Sequence, residues 1–339
     1  ASGTFATLYV FIYRKVNIHK VGYGLGIATA GGFAGSLFAP LVGGFLSAYV
    51  SWIWVYFFTL PFMVLTLVLL LTFDEEWYDD VDLDKIGIVL WFITMVLFVY
   101  SITYLSTTIG IILFIISIIL MSIFVIYELK IEEPIFNFRV LKNHLYALNN
   151  FTALMTQLVK CGAIFVLTLY LQYVGKFTAI ETGLLIGLFA LVMMISSLFA
   201  GRLSDKYNPV NLTDYGLIIM CLASAIFCFI NHLSIYFIVI ALVLLAIGLG
   251  IFETPNKKIL FESSKEINVA GSSAFLSTIR DIGSLLSTAI FTLILNIFIN
   301  SSNYWSISSS LMFEIMFIFI IITLIISIIS RFKYKKIVI

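Results

Sequence analysis

The sequence is short of charge. Lysine and arginine number 19 and aspartate and glutamate 18 in 339 residues, 11% of the chain, where a soluble domain carries about 25%. That scarcity excludes an ordinary soluble domain. The formal net charge of +1 excludes the basic footprint that nucleic acid demands. Cysteine is almost absent: Cys161, Cys221 and Cys228 lie apart in apolar segments, with neither a disulfide framework nor a zinc spacing. His19, His144 and His232 are equally scattered, so no metal site and no cofactor are expected. No nucleophile triad or glycine-rich phosphate loop is present, and the chain is not expected to be an enzyme.

What remains is hydrophobic: 62% of the residues. Breaks at charged, proline-bearing or asparagine-rich points divide the chain into one partial span, Ala1–Tyr13, and ten full ones. These are Val21–Val50, Trp52–Thr72, Ile86–Leu105, Thr108–Tyr127, Asn150–Val174, Gly183–Ala200, Leu212–Ile230, Ser234–Phe252, Val269–Ile299 and Ser306–Ser330. Each is about long enough to cross ~30 Å of hydrocarbon at 1.5 Å per residue. The expected fold is all-α, a polytopic transmembrane helical bundle in a lipid bilayer. Ala1–Tyr13 is too short to span and lacks the basic flank of a signal peptide, so it reads as the tail of a helix whose start is missing.

Alternating the loops across the membrane puts sixteen of the lysines and arginines on one side and Lys176 alone on the other, with Lys160 and Arg280 inside spans. The basic side is expected to be cytoplasmic, with the C-terminus, in a plasma membrane. Trp52, Trp54 and Trp305 suit the opposite interface. The loop Phe73–Lys85 is the one acidic run. A magnesium–diphosphate site would require a second such loop, and there is none; a solvated linker is expected.

One span carries Gly26, Gly35, Ala39, Pro40, Gly43 and Gly44 with the spacing G-x8-G-x3-A-P-x2-G-G. Small residues let another backbone approach, and the nine-residue glycine interval is read as a slow drift round one face. Pro40 removes a backbone donor and is expected to kink the helix. This pattern resembles the antiporter signature of drug:proton antiporters of the major facilitator superfamily, with Ala39 where the family has glycine. Trp52 to Pro61 resembles the W-R-W-x-F-x-x-N-x-P passage of the 14-span branch (EmrB/QacA-like), Ile53 and Thr59 replacing its polar groups. Tyr170-Leu171-Gln172 is similar to a Y-L-Q element of that branch. Gly201-Arg202-Leu203-Ser204-Asp205-Lys206-Tyr207 resembles the second copy of the cytoplasmic loop motif, in which Gly201, Asp205 and Lys206 would form a gate. Pro255-Asn256 and the run from Gly271 to Gly283 resemble the linker and the next-to-last helix.

The resemblance implies the major facilitator fold. Residues 1–72 would be the remainder of an N-terminal bundle, 73–148 two linker spans with their loops, and 149–339 a C-terminal six-helix bundle. Three spans and part of a fourth would be missing. It also implies that Asp205 meets the positive N-terminal end of a helix in the other half.

Ionisable groups inside spans mark function by default. Lys160, Arg280 and Asp281 fall at similar depth, so Lys160 is expected to pair with Asp281 in a polar patch with Gln157 and Arg280. Glu253, a lone acid near the cytoplasmic mouth just before Pro255, is a candidate for proton exchange, the alternative being an interfacial acid that faces the loop cations Lys257 or Lys258. The expected function is proton-coupled export of small amphipathic or cationic compounds by alternating access. The partners would be protons and a small-molecule substrate. The alternatives are a same-fold transporter for a native metabolite, an intramembrane lipid-modifying enzyme, and a non-transporting remnant.

Overall fold

The computed structural model describes residues 8, 11–12, 16–17, 20–51, 53–71, 84–105, 107–131, 134–136, 138–263 and 269–337. The expected half-span Ala1–Tyr13, Trp52 and nearly all of the acidic loop lie outside or largely outside them. Among the described residues ten long helices follow one another: α1 Val21–Tyr49, α2 Ile53–Leu71, α3 Lys85–Thr103, α4 Thr108–Glu128, α5 His144–Tyr173, α6 Ala179–Lys206, α7 Pro209–Phe227, α8 Ile235–Ser263, α9 Val269–Phe298 and α10 Tyr304–Ile337. Short 3-10 turns at Phe138–Lys142 and Ile230–His232 precede α5 and α8. Nine of the ten are long and apolar enough to cross a membrane, and α2 offers the shorter apolar stretch Ile53–Leu69. The described residues contain no strand.

Several helix starts follow local chemistry. Asn143 caps α5 through the N–H groups of Leu145 and Tyr146. Asn208 caps α7, whose first residue is Pro209, a position where the missing N–H costs nothing. Thr178 and Glu181 form a reciprocal capping box at the start of α6. That box moves the start of α6 ahead of Gly183, where hydropathy alone put it. At Asp84 the acidic run ends by capping α3 through Gly87 N at 2.9 Å.

The largest departure from the sequence reading is in α8. Pro255 was expected to end the span near Phe252; the helix instead continues through it to Ser263. A proline inside a helix loses one hydrogen bond and crowds the preceding turn, so the segment beyond it needs anchors. Lys257 and Lys258, read as loop cations, are 1% and 8% exposed and fastened to side chains of other helices.

α1 packs along α6, α7 on α8, α3 on α4, and α5 against α9 and α10. The main apolar core fills α5 to α10, with Val166, Leu217, Met220, Leu245, Phe291 and Phe313 among its buried members. A second core, at the basic end of the helices, joins Leu25 of α1 and Phe124 of α4 to Tyr146, Phe261 and Phe275. At the opposite end Trp305 stacks on Tyr173, ring centroids 4.3 Å apart and nearly parallel. Trp54 is exposed there. Tryptophans at that end and basic residues at the other fit two membrane interfaces.

Candidate functional site

Two charged constellations tie α1 to the helices of the C-terminal half. The first lies at the basic end. Lys20 precedes α1 and provides no side-chain cap, which leaves the first backbone N–H groups of that helix without intrahelical partners. Asp205, at the end of α6, supplies them. Its Oδ1 accepts from Gly22 N at 2.9 Å and its Oδ2 from Tyr23 N at 2.8 Å. The helix N-terminus adds its partial positive charge to this contact. The same carboxylate holds Lys258 Nζ of α8 at 2.8 Å, and Lys258 also donates to Ser204 O at 2.7 Å. Arg202 lies over the Tyr23 ring, 5.0 Å from its centroid. The contact requires bare backbone. A Cβ added at Gly201 would stand 2.7 Å from Gly22 O and 3.0 Å from Gly26 Cα.

Of the three residues expected at this gate, Gly201 and Asp205 meet α1. Lys206 is exposed, and the cation on Asp205 is Lys258, reached from α8.

The glycine helix divides differently from its sequence reading. Nine residues are about two and a half turns at 3.6 residues per turn, so Gly26 and Gly35 lie on opposite faces, not on one. Gly26 presses on α6: a Cβ there would be 3.1 Å from Ser197 O and 3.2 Å from Gly201 Cα. Gly44, about five turns further on, returns to that face beside Ala179 O at 3.9 Å. Around Gly31, Gly35 and Gly43 no described atom beyond the helix's own adjoining backbone lies within 4 Å of a Cβ position, and Ala39 is exposed. The side chain of Pro40 lies outside the described residues.

The second constellation lies about two to four and a half turns inside the helices. Its centre is Glu253 of α8, 5% exposed. Three cations converge on this carboxylate. Arg280 of α9 makes the closest contact with Oε1, Lys257 Nζ is 3.2 Å from Oε1, and Lys160 Nζ of α5 is 3.8 Å from Oε2. Lys257 continues to α1, donating to Thr29 Oγ1 at 2.9 Å. Lys160 lies over the ring of Phe33, also on α1, 4.9 Å from its centroid. Four helices therefore contribute polar or charged groups to one buried centre.

The expected Lys160–Asp281 pair is replaced: Lys160 turns to Glu253, and Asp281 is on the exposed side of α9. Asp281 and Arg280 are consecutive, so about 100° of helix rotation separates them, and only Arg280 faces α8. Gln157 belongs to an adjoining patch, donating to Ser284 Oγ at 3.1 Å and Cys161 Sγ at 3.3 Å between α5 and α9.

Sequence reasoning grouped Lys160 with Arg280 and kept Glu253 apart from them, and it missed Thr29, Phe33 and the reach of Lys258 to Asp205. The signal for Lys257 was present. It follows Glu253 by four residues, one turn on if the helix survives Pro255. For Thr29 and Phe33 the signal is the buried stripe Val21, Leu25, Thr29, Phe33, spaced by four on α1. Among the described residues no group of three or more His, Cys, Asp or Glu could hold a metal ion.

A family model described as the Major Facilitator Superfamily matches residues 1–288. The riboflavin transporter RibZ of Clostridioides difficile (strain 630) is 22% identical over 86% of this chain and 65% of its own length. The multidrug efflux pump LfrA of Mycolicibacterium smegmatis is 25% identical over 79% of this chain and 55% of its own length. The lincomycin resistance protein LmrB of Bacillus subtilis is 25% identical over 54% of this chain and 41% of its own length. The chain thus spans at most 65% of the length of these three relatives.

Proposed function

The chain belongs to the major facilitator superfamily, and we propose that it works within a proton-coupled exporter of small amphipathic compounds. It acts by alternating access in the plasma membrane, with its basic end in the cytoplasm. Within the superfamily it falls in the 14-span drug:proton antiporter branch, α3 and α4 being the extra pair between the halves.

The observation that carries this reading is the buried centre at Glu253, built jointly by α1 and by α5, α8 and α9. Buried charge inside a span is costly and is retained where ions or substrates pass. A centre shared by two bodies is rearranged whenever they rock, which is the geometry of a transport site at a repeat interface. The Asp205 contact is the gate. Parting α1 from α6 at the basic end withdraws one carboxylate from two backbone donors at once, and Lys258 keeps that carboxylate from being left alone.

The named relatives include a riboflavin transporter, a multidrug efflux pump and a lincomycin resistance protein, so a same-fold transporter of a native metabolite is the second reading. Reconstituted full-length protein tests both. Under an imposed pH gradient, vesicles are offered a lipophilic dye and labelled riboflavin. The wild type is expected to move the dye, while Glu253→Gln and Asp205→Asn each lose at least about tenfold in rate. Movement of riboflavin alone favours the second reading. Wild-type dye transport in both variants would refute the assigned roles of Glu253 and Asp205.

A further inference from the structure

Resting on the reading of the Glu253 centre as a transport site, we propose that it accepts amphipathic organic anions, with a carboxylate, sulfonate or phosphate head docking on Lys160 and Arg280. The argument is one of layering. The acid is the deep member: Glu253 and Lys257 have side chains 5% and 2% exposed. The accessible members are both cations, Lys160 and Arg280, each with 18% of its side chain exposed. A molecule reaching the centre meets positive charge first, and the one carboxylate lies behind it.

Lys160 is also the loosest member of the centre. Its Nζ stands 3.8 Å from Glu253, beyond hydrogen-bonding distance, and Oε2 of that carboxylate accepts no hydrogen bond among the described residues. Among the described residues the rest of the Lys160 ammonium's company is the face of Phe33. An ammonium in this setting has donors to spare for an oxyanion. A neighbouring guanidinium offers a planar fork that matches a carboxylate or phosphate edge. A cationic cargo would meet like charge at both exposed positions. Glu253 occupies the cations in the manner of a tethered anion, so an arriving anion competes with it for the same partners.

Cys161 reports on the charge of this approach. It follows Lys160 in sequence, is half-buried, and contacts Ser284 one turn beyond Arg280, with Sγ–Oγ 3.2 Å. The test uses full-length protein carrying Cys221→Ser and Cys228→Ser, in phosphatidylcholine vesicles. Its thiol is exposed to two methanethiosulfonates, one bearing a sulfonate and one a trimethylammonium. A positive site concentrates counter-ions by tenfold or more. The sulfonate reagent is therefore expected to gain at least about tenfold over the trimethylammonium reagent, relative to free cysteine. Lys160→Gln should remove most of that preference. The amphipathic sulfonate 8-anilinonaphthalene-1-sulfonate should slow labelling, and ethidium should not.

Several results would overturn the proposal. They are a ratio at or below that of free cysteine, an unchanged ratio in Lys160→Gln, protection by ethidium, or no labelling by either reagent. Protection by added phosphatidylglycerol equal to that of the sulfonate would give the site to lipid and likewise defeat a soluble cargo. Labelling reads charge without transport, so these failures are separate from a failure of the exporter reading.

Discussion

The two faces of α1 carry the same kind of residue and meet opposite surroundings. Gly22 and Gly26 face α6, where an added Cβ would crowd backbone, 2.8 Å from Gly201 O at Gly22 and 3.1 Å from Ser197 O at Gly26. Gly31, Gly35 and Gly43 face away, with no described atom beyond the helix's own adjoining backbone near the position of a Cβ. Small residues in a membrane helix therefore do not by themselves identify an interface. What distinguishes the packed face is the chemistry around it: Thr29 linked to Lys257, Phe33 under Lys160, and free N–H groups met by Asp205.

The largest effect is expected from Gly201→Leu. Even a Cβ there would meet backbone atoms of Gly22 and Gly26, and backbone cannot rotate out of the way. Overpacking costs about 1–3 kcal/mol where side chains can yield, and here the helices must part. The thermal midpoint of detergent-purified protein should fall sharply, and transport should be lost. An unchanged midpoint would mean that α1 and α6 are not held at this distance.

Asp205→Asn comes next. The substitution preserves shape and can preserve one backbone hydrogen bond, but removes the charge that Lys258 and the α1 N-terminus share. Breaking a well-buried ion pair by neutralising one partner costs about 3–5 kcal/mol. These side chains are 10% and 11% exposed, so the cost should fall below that range. Pairing it with Lys258→Met in a double-mutant cycle should show coupling. Strict additivity would reduce Asp205 to a helix cap. Thr29→Val is smaller again. It removes one hydrogen bond to a charged donor, worth about 1.5–3 kcal/mol, and leaves Lys257 on Glu253. Its transport rate should fall less than that of Glu253→Gln.

These rankings also mark what the sequence made legible. Ten helices and their alternation followed from hydropathy and charge, because lipid admits few other backbones. The contact of Asp205 with a helix start followed from the loop motif, because a free helix N-terminus and a nearby carboxylate are complementary. Of the partners of Glu253, Lys257 was legible one turn on, and Arg280 and Lys160 were not. The first depends on α8 surviving Pro255, which brings Lys257 back one turn later and buries it. Arg280 depends on which side of α9 faces inward, a choice between Arg280 and Asp281 that hydropathy does not make. The glycine pattern misled through its period, since an interval of nine residues alternates faces.

The smallest effect belongs to the open face, and its sign is informative. Gly35→Ala places a methyl group where no described atom beyond the helix's own adjoining backbone stands within 4 Å. In a helix interior, alanine in place of glycine removes backbone freedom from the unfolded chain and is worth about 0.5–1 kcal/mol. With no described atom outside the helix to collide with, the thermal midpoint should hold or rise slightly, whereas Gly26→Ala on the packed face should lower it. If Gly35→Ala lowers the midpoint as much as Gly26→Ala does, this face also bears a close helix contact, and α1 is then gripped from both sides during transport.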